Sequence, residues 1–339
     1  MHNDTVILES LSIGYRHKGH VRLVCSGLGA SLRSGQLTCL LGCNGVGKST
    51  LLKTLSAFIP PLDGEIILAG RPLSGYSPKE LSRLLGVVLT ERVAVDNMTV
   101  MELIGTGRSP YTGFWGRLTP EDHAAVHEAV RMVGIESLQD RMVQTLSDGE
   151  RQKVMIAKAL AQHTPVILLD EPTAFLDYPS KVEILQLLHT LTRDTGKSVF
   201  LSTHDVDLAL QVADCVWLMK RDGPLRTGSP EDLAIEGVLE DFFPDRNVTF
   251  DKAEGAFRIK YRFTGSIAVS GKGQRLQMVS KALRRNEIEP IIISPGKIPS
   301  SGMSGQWIEA GESSFRLHLT DGKVYETDSV SGLLSALGL

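Results

Sequence analysis

The chain has 339 residues, enough for two domains, with 42% hydrophobic and 22% charged residues and a formal net charge of −3. That balance gives no broad electrostatic reason to expect a nucleic-acid partner. Four cysteines without paired metal spacing are too few for a secreted disulfide scaffold, so a reduced, cytosolic compartment is expected. The segment after Met1 carries Asp4 and Glu9 and lacks the basic-then-apolar design of a signal peptide. No apolar run approaches the ~20 residues needed to span a bilayer. Any service to a membrane is therefore expected from the aqueous side, through a partner.

In chain order, "TVILESLSIGY" and "QLTCLLG" read as strands, apolar-rich and punctuated by glycine. The loop "GCNGVGKST" follows, and a helix, "LLKTLSAF", runs on to the break at Pro60 and Pro61. "GEIILAG" is a short strand. Residues 78–163 read as mostly helical: "PKELSRLL", then "TVMELIGTG" behind a Thr cap, then "TPEDHAAVHEAVRMVG". The last has Thr119 as cap, Pro120 at the first position and acids in the first turn. From residue 166, strands "VILLD", "SVFLSTH" and "CVWLMKR" alternate with helices "SKVEILQLLHTLTRDTG" and "VDLALQVA". That alternation predicts an α/β fold with a parallel-rich sheet, into which the helical block is inserted.

A domain boundary is expected near "DFFPDRNVTF", giving domains 1–245 and 246–339. Beyond it, "GSIAVSG", "QRLQMVSKALRRN" and "EPIIIS" read as β-α-β. After a Pro/Gly/Ser-rich loop come strands "WIEAG", "SFRLHLT" and "KVYETD", the last two joined by an Asp-Gly turn, and a short terminal helix. "SGKGQ" looks like a phosphate loop but lacks the Gly-Lys-Ser/Thr ending. This smaller α/β domain is expected to tune the first one, either as a dimerisation appendage or as a regulator.

Gly42–Ser49 fits G-x-x-x-x-G-K-[ST] between a strand and a helix, the context in which that motif cradles phosphate. Glycines let backbone N–H groups approach phosphate oxygens, and the helix start adds a favourable dipole. Lys48 is expected on the β- and γ-phosphates and Ser49 on Mg²⁺. "VILLDE" delivers Asp170 and Glu171 to a strand tip, where α/β sheets bind ligands. Asp170 is expected to hold the metal's hydration shell and Glu171 to deprotonate the attacking water. "LSTHD" puts His204 at another strand tip, within reach of the γ-phosphate end. Tyr15 could stack on adenine or pack in the core. His123 and His127 share a helix face at metal-ligand spacing, but no third ligand is evident and a solvated face is the better reading. Cys39 and Cys43 read as two small thiols.

Together, Gly42–Thr50, Leu146–Glu150 ("LSDGE"), Asp170–Glu171, "PTAFLD" and His204 resemble the Walker A, signature, Walker B, D-loop and switch-histidine motifs of ABC ATPases. "GTGRSPYTGFWG" is further similar to the ATPase subunits of iron-siderophore, haem and cobalamin importers. The resemblance implies a P-loop NTPase fold, ATP hydrolysis with Mg²⁺, and nucleotide contacts from Tyr15, Gly42, Asn44, Gly45, Gly47, Lys48, Ser49 and Thr50. It implies that two copies pack head-to-tail, so that Ser147 and Gly149 of one close over ATP held by the other. It implies polytopic permease subunits as partners, docked around residues 90–117 where "YTGFWG" offers aromatic rings. It implies a substrate-binding protein as an indirect partner and a place on the cytoplasmic face of the inner membrane. Two departures stand out. Asp148 replaces the usual Gly and is expected to point away, towards Arg151. Thr90 replaces a metal-contacting Gln, which puts direct metal contact in doubt unless Glu91 reaches instead. The alternatives are a soluble, non-transport ABC ATPase and a weakly hydrolysing ATP-dependent switch.

Overall fold

A computed structural model describes residues 3–18, 20–89, 97–113, 115–221, 223–243, 247–252, 254–294 and 305–339. Thr90 and Glu91, on which the metal contact was open, lie outside the described residues. The chain divides into two compact units, Met1–Pro244 with Phe250–Ala256, and Asp245–Thr249 with Phe257–Leu339.

In the first unit, six strands form one sheet in the order Arg226–Gly228, Cys215–Met219, Leu37–Gly42, Ser198–Ser202, Val166–Asp170, Leu85–Val88. All neighbours are parallel except the first pair. The three central strands are buried at every position, which is why they read as unbroken apolar runs. A second, antiparallel sheet orders His20–Arg33, Asp4–His17, Asp63–Leu68 and Arg71–Pro72. Leu11, Ile13 and Leu28 from that sheet meet Leu40, Phe200 and Trp217 from the parallel one, the two rings lying 5.0 Å apart. The long strand His20–Arg33 did not stand out in the sequence. It fully buries only Leu28 and Leu32, and its pairing with Asp4–His17 shifts register repeatedly, so period-two alternation is lost.

The block 78–163 needs one correction: Leu85–Val88 is an edge strand of the parallel sheet, so the helical insert proper begins after it. Four apolar residues after a short helix gave too little periodicity to separate the two. Within the insert, Val100–Gly105, Pro120–Val133 and Asp148–Ala161 each start with a capping box: Thr99 with Glu102, Thr119 with Asp122, Ser147 with Glu150. Arg108 ties the insert together. Its Nε donates to Asp122 Oδ1 at 2.8 Å, its Nη1 to the Ala161 carbonyl at 2.8 Å, and its guanidinium lies 4.0 Å from the Tyr111 ring centroid. Among the described residues, no helix is long and apolar enough to cross a membrane.

The second unit has a five-stranded sheet in the order Ile288–Ile293, Gly265–Gly271, Trp307–Ala310, Phe315–His318, Val324–Thr327. The amphipathic helix Gly273–Arg285 buries Val279 and Leu283 against Ile267, Val269, Ile308 and Leu317. Gly271, in "SGKGQ", has φ +150°, and a Cβ there would meet the Ala310 carbonyl oxygen at 2.5 Å. A close backbone approach is a sufficient reason for that glycine.

Candidate functional site

At the carboxyl ends of the parallel strands lies a cavity of about 660 Å³. It is lined by Tyr15, Asn44, Gly45, Gly47, Lys48, Ser49, Thr50, Glu171 and His204, together with Arg22 and Val24. The first nine are expected site residues, drawn from four separate stretches of sequence. Arg22 and Val24 were not anticipated, because they sit on the strand whose pattern was illegible. Arg22 is the cross-strand partner of Tyr15, and that pairing is the signal that could have found it once the hairpin was recognised.

The phosphate-type loop is shaped by backbone constraint. Gly47 caps the helix Lys48–Leu55 with φ +117°, and a Cβ there would meet Val24 Cγ1 at 2.5 Å. Glycine is therefore required on both conformational and steric grounds. Lys48 is 6% exposed, and its Nζ donates to the Gly42 carbonyl at 2.8 Å. Burial pushes its ammonium below the ordinary range, and Glu171, the Cys43 thiol and Asp170 draw it part of the way back. Gly42 does not line the cavity; its visible part is to hold Lys48. Tyr15 is half in water, and its hydroxyl pairs with Thr50 Oγ1 at 3.0 Å, so the ring stands at the mouth and is not core packing.

On the facing strand tips, Ser49 Oγ donates to Asp170 Oδ1 at 3.3 Å, and Glu171 Oε2 lies 3.4 Å from His204 Nδ1. Ser202 links the Asp170 carboxylate to the Glu171 backbone. Fully buried, its hydroxyl donates to Asp170 Oδ1 at 2.6 Å and accepts the Glu171 N–H at 2.9 Å. Glu171 has φ +46°, a left-handed conformation that costs about 1–3 kcal/mol for a non-glycine residue and is held here by that bond and by a second from the same N–H to the Ser202 carbonyl at 3.2 Å. A hydroxyl and a carboxylate beside a buried lysine suit a hard cation such as Mg²⁺, which takes few protein oxygens and completes its octahedron with water and phosphate. Among the described residues there is no group of three His, Cys, Asp or Glu side chains that could hold a metal ion. His123 and His127 are both exposed.

Ser147 and Gly149 are not brought to this cavity. Ser147 is the N-cap of Asp148–Ala161: its hydroxyl accepts the Glu150 N–H at 3.3 Å and donates to Glu150 Oε2 at 2.9 Å, and its own N–H bonds Glu150 Oε2 at 2.8 Å. Those bonds hold the Glu150 carboxyl below its usual range. Arg151, the expected partner of Asp148, donates to the Val143 carbonyl. Ser147 is exposed, so this helix start faces solvent and not the cavity of its own subunit.

A phosphate cradle, a buried lysine and a carboxylate–histidine pair on this sheet define a nucleotide-hydrolysing P-loop protein. Residues 25–174 match the family model described as ABC transporter. The chain belongs to the ATP-binding subunits of ABC transporters, which are transport-coupled ATPases. It is 38% identical over 74% of its length to an uncharacterized ABC transporter ATP-binding protein of Methanocaldococcus jannaschii, spanning 86% of that protein. It is 34% identical over 72% of its length to the ferric enterobactin transport ATP-binding protein FepC of Escherichia coli, spanning 88% of it. Among solved structures, a dimeric bacterial ABC transporter cassette matches with TM-score 0.57 and 25% identity, over 66% of this chain and 98% of that one. A metal-chelate type ABC transporter in an inward-facing conformation matches with TM-score 0.59 and 26% identity, over 68% of this chain and 85% of that one.

Proposed function

We propose that this chain drives import of an iron chelate of the siderophore class, as a homodimer that sandwiches two ATP molecules. The observation that carries the sandwich is the separation of parts: Lys48, Ser49 and Glu171 line one cavity, with Asp170 bonded to Ser49 behind it, whereas Ser147 presents its helix start elsewhere, to solvent. The siderophore class rests on relatives named for transport of ferric enterobactin and import of iron(3+)-hydroxamate. Lys48 and the loop N–H groups bind phosphate, and Tyr15 stacks on the base. Glu171 accepts the proton of the attacking water, with His204 orienting it; such a base contributes ~10²–10⁴-fold in rate. Ser49 and Asp170 would hold Mg²⁺, which would supply charge neutralisation on the phosphates. The partner is a membrane-embedded permease at the cytoplasmic face. It docks in a groove of about 620 Å³ between the core and the insert, where Phe58, Leu81, Val87 and Pro110 are lining residues.

The sandwich predicts complementation in trans. Mixing Ser147→Arg with Lys48→Ala subunits restores about one working site per dimer, since each defect spoils a different face of the same interface. A verified heterodimer with no ATP turnover would sink the arrangement. The substrate class is tested by ATP-dependent uptake of a ferric siderophore, against haem and cobalamin, in vesicles carrying the permease complex.

A further inference from the structure

The docking groove contains one unmatched charge. Of its polar side chains, Ser56 donates to the Leu52 carbonyl, Ser82 to Lys79 and Thr106 to Leu103. Gln162 donates to the carbonyls of Ser82 and Leu85 at 2.6 and 3.0 Å. Ser109 is exposed to water. Lys158 is different: it lines the groove half-buried, and among the described residues its ammonium has neither a hydrogen bond nor a counter-charge. Burial alone pushes its pKa below the ordinary lysine range, and no carboxylate among the described residues draws it back.

Lys158 is held there by its surroundings. It lies on Asp148–Ala161, the helix that begins at Ser147. Gly107, in the "GRSP" turn, packs so closely on this helix that a Cβ would meet the Lys158 carbonyl oxygen at 2.4 Å and its Cγ at 3.5 Å. Gly107 thus packs against the base of Lys158, whose side chain lines a groove that is otherwise apolar or internally satisfied apart from Ser109. Covering the groove with a protein segment strips the remaining water from this cation. An unpaired buried charge is strongly destabilising, so an occupant must bring an anion.

We propose that Lys158 recognises a carboxylate on the cytoplasmic segment of the permease, set among apolar residues that fill the groove around Phe58 and Leu81. This rests on the reading that the permease docks here. The apolar walls supply the contact area, and the ammonium selects which segment and which register may enter, since a segment without an acid leaves the charge unpaired. Because Lys158 shares a helix with Ser147, the same pairing links permease position to the helix start that meets the partner subunit's nucleotide.

The test titrates the transporter's own permease subunits, purified in detergent, with the full-length chain at several salt concentrations. Lys158→Met keeps the apolar stem and removes the charge. It is expected to weaken assembly at least about tenfold and to flatten the salt dependence, with basal ATP turnover and thermal stability unchanged. Lys158→Arg should retain most of the affinity. Lys158→Glu should be rescued by changing the permease carboxylate to lysine. Leu81→Asp, which puts a charge on the apolar wall, separates the two readings. If Leu81→Asp abolishes assembly while Lys158→Met keeps wild-type affinity and salt slope, the charge pairing is wrong and the docking site stands. If Leu81→Asp assembles normally, the docking reading itself falls. Failure of the reversed pair to recover, with both proteins folded, also overturns the pairing.

Discussion

Asp170 and Glu171 are adjacent in sequence yet do different work, and Ser202 lets them. Its single hydroxyl gives its proton to Asp170 and accepts the Glu171 N–H, which pins the left-handed backbone that turns the Glu171 side chain towards His204. Two substitutions should therefore differ. Glu171→Gln removes the proton acceptor while keeping the phosphate contacts, so turnover falls ~10²–10⁴-fold and the ATP-bound dimer accumulates. Ser202→Ala leaves both carboxylates chemically intact but removes the Asp170 bond and one of the two acceptors of the Glu171 N–H; kcat should fall by about tenfold with nucleotide affinity nearly unchanged. Turnover and equilibrium ATP binding, measured on both variants, decide it: wild-type kcat in Ser202→Ala would remove the positioning role. The carboxylates were legible because four apolar residues running into two acids describe a buried strand that carries charge only at its tip. Ser202 stood in plain view inside "LSTHD" but carried no signal, since a serine at the end of a buried strand gains its meaning from the neighbouring strand. Arg22 was missed for the same reason, one pairing further away.

The insert's helices are short, and their ends carry much of their order. Three capping boxes satisfy backbone donors, each cap contributing ~1 kcal/mol. The caps were readable where Thr or Ser preceded an acid by three residues. What could not be read was that the cap of Pro120–Val133 is also one end of a buried ion pair: the side chains of Arg108 and Asp122 are 9% and 4% exposed. Tyr111, expected among aromatics free for a partner, is engaged instead by Arg108 and Arg83, at 4.0 and 5.0 Å from its ring centroid. Arg108→Met strands Asp122 without its counter-charge and should destabilise the insert by about 3–5 kcal/mol. Hydrogen exchange along Pro120–Val133 should accelerate while nucleotide affinity at the distant loop holds; unchanged protection would mean the pair is dispensable. The pH dependence has a definite sign. The Thr119 backbone N–H, with Arg108, holds the Asp122 carboxyl below the usual aspartate range. Its stabilisation is complete above the unfolded aspartate pKa and is lost as pH falls through the lower folded value. The wild-type insert should therefore loosen in acid, and Arg108→Met should show less of that acid step.

At the scale of the whole chain, composition places a boundary near residue 245, but the chain does not divide at one point. Asp245–Thr249 belongs to the second unit, and Phe250–Ala256 returns to the first. A linear reading finds where composition changes; it cannot find a short return. Phe250, 6% exposed, lies in that return. Every residue lining the nucleotide cavity lies at or before His204, so the second unit supplies none of them. We propose that the second unit tunes the motor without sharing its chemistry, and two truncations test this. A chain ending after Ala256 keeps the whole first unit and should fold and bind ATP within about twofold of the full-length affinity. A chain ending at residue 245 loses Phe250, whose burial contributes about 1.5–3 kcal/mol, and should melt earlier by a corresponding margin. Once folded it should still bind ATP, because no phosphate contact has been removed. The longer truncation then reports what the second unit does. Weaker Mg-ATP-dependent dimerisation identifies it as an association element, and faster turnover with equal dimerisation identifies it as a restraint on closure. If the chain ending after Ala256 is folded yet cannot bind ATP, the second unit is part of the nucleotide site and the proposed division of labour is wrong.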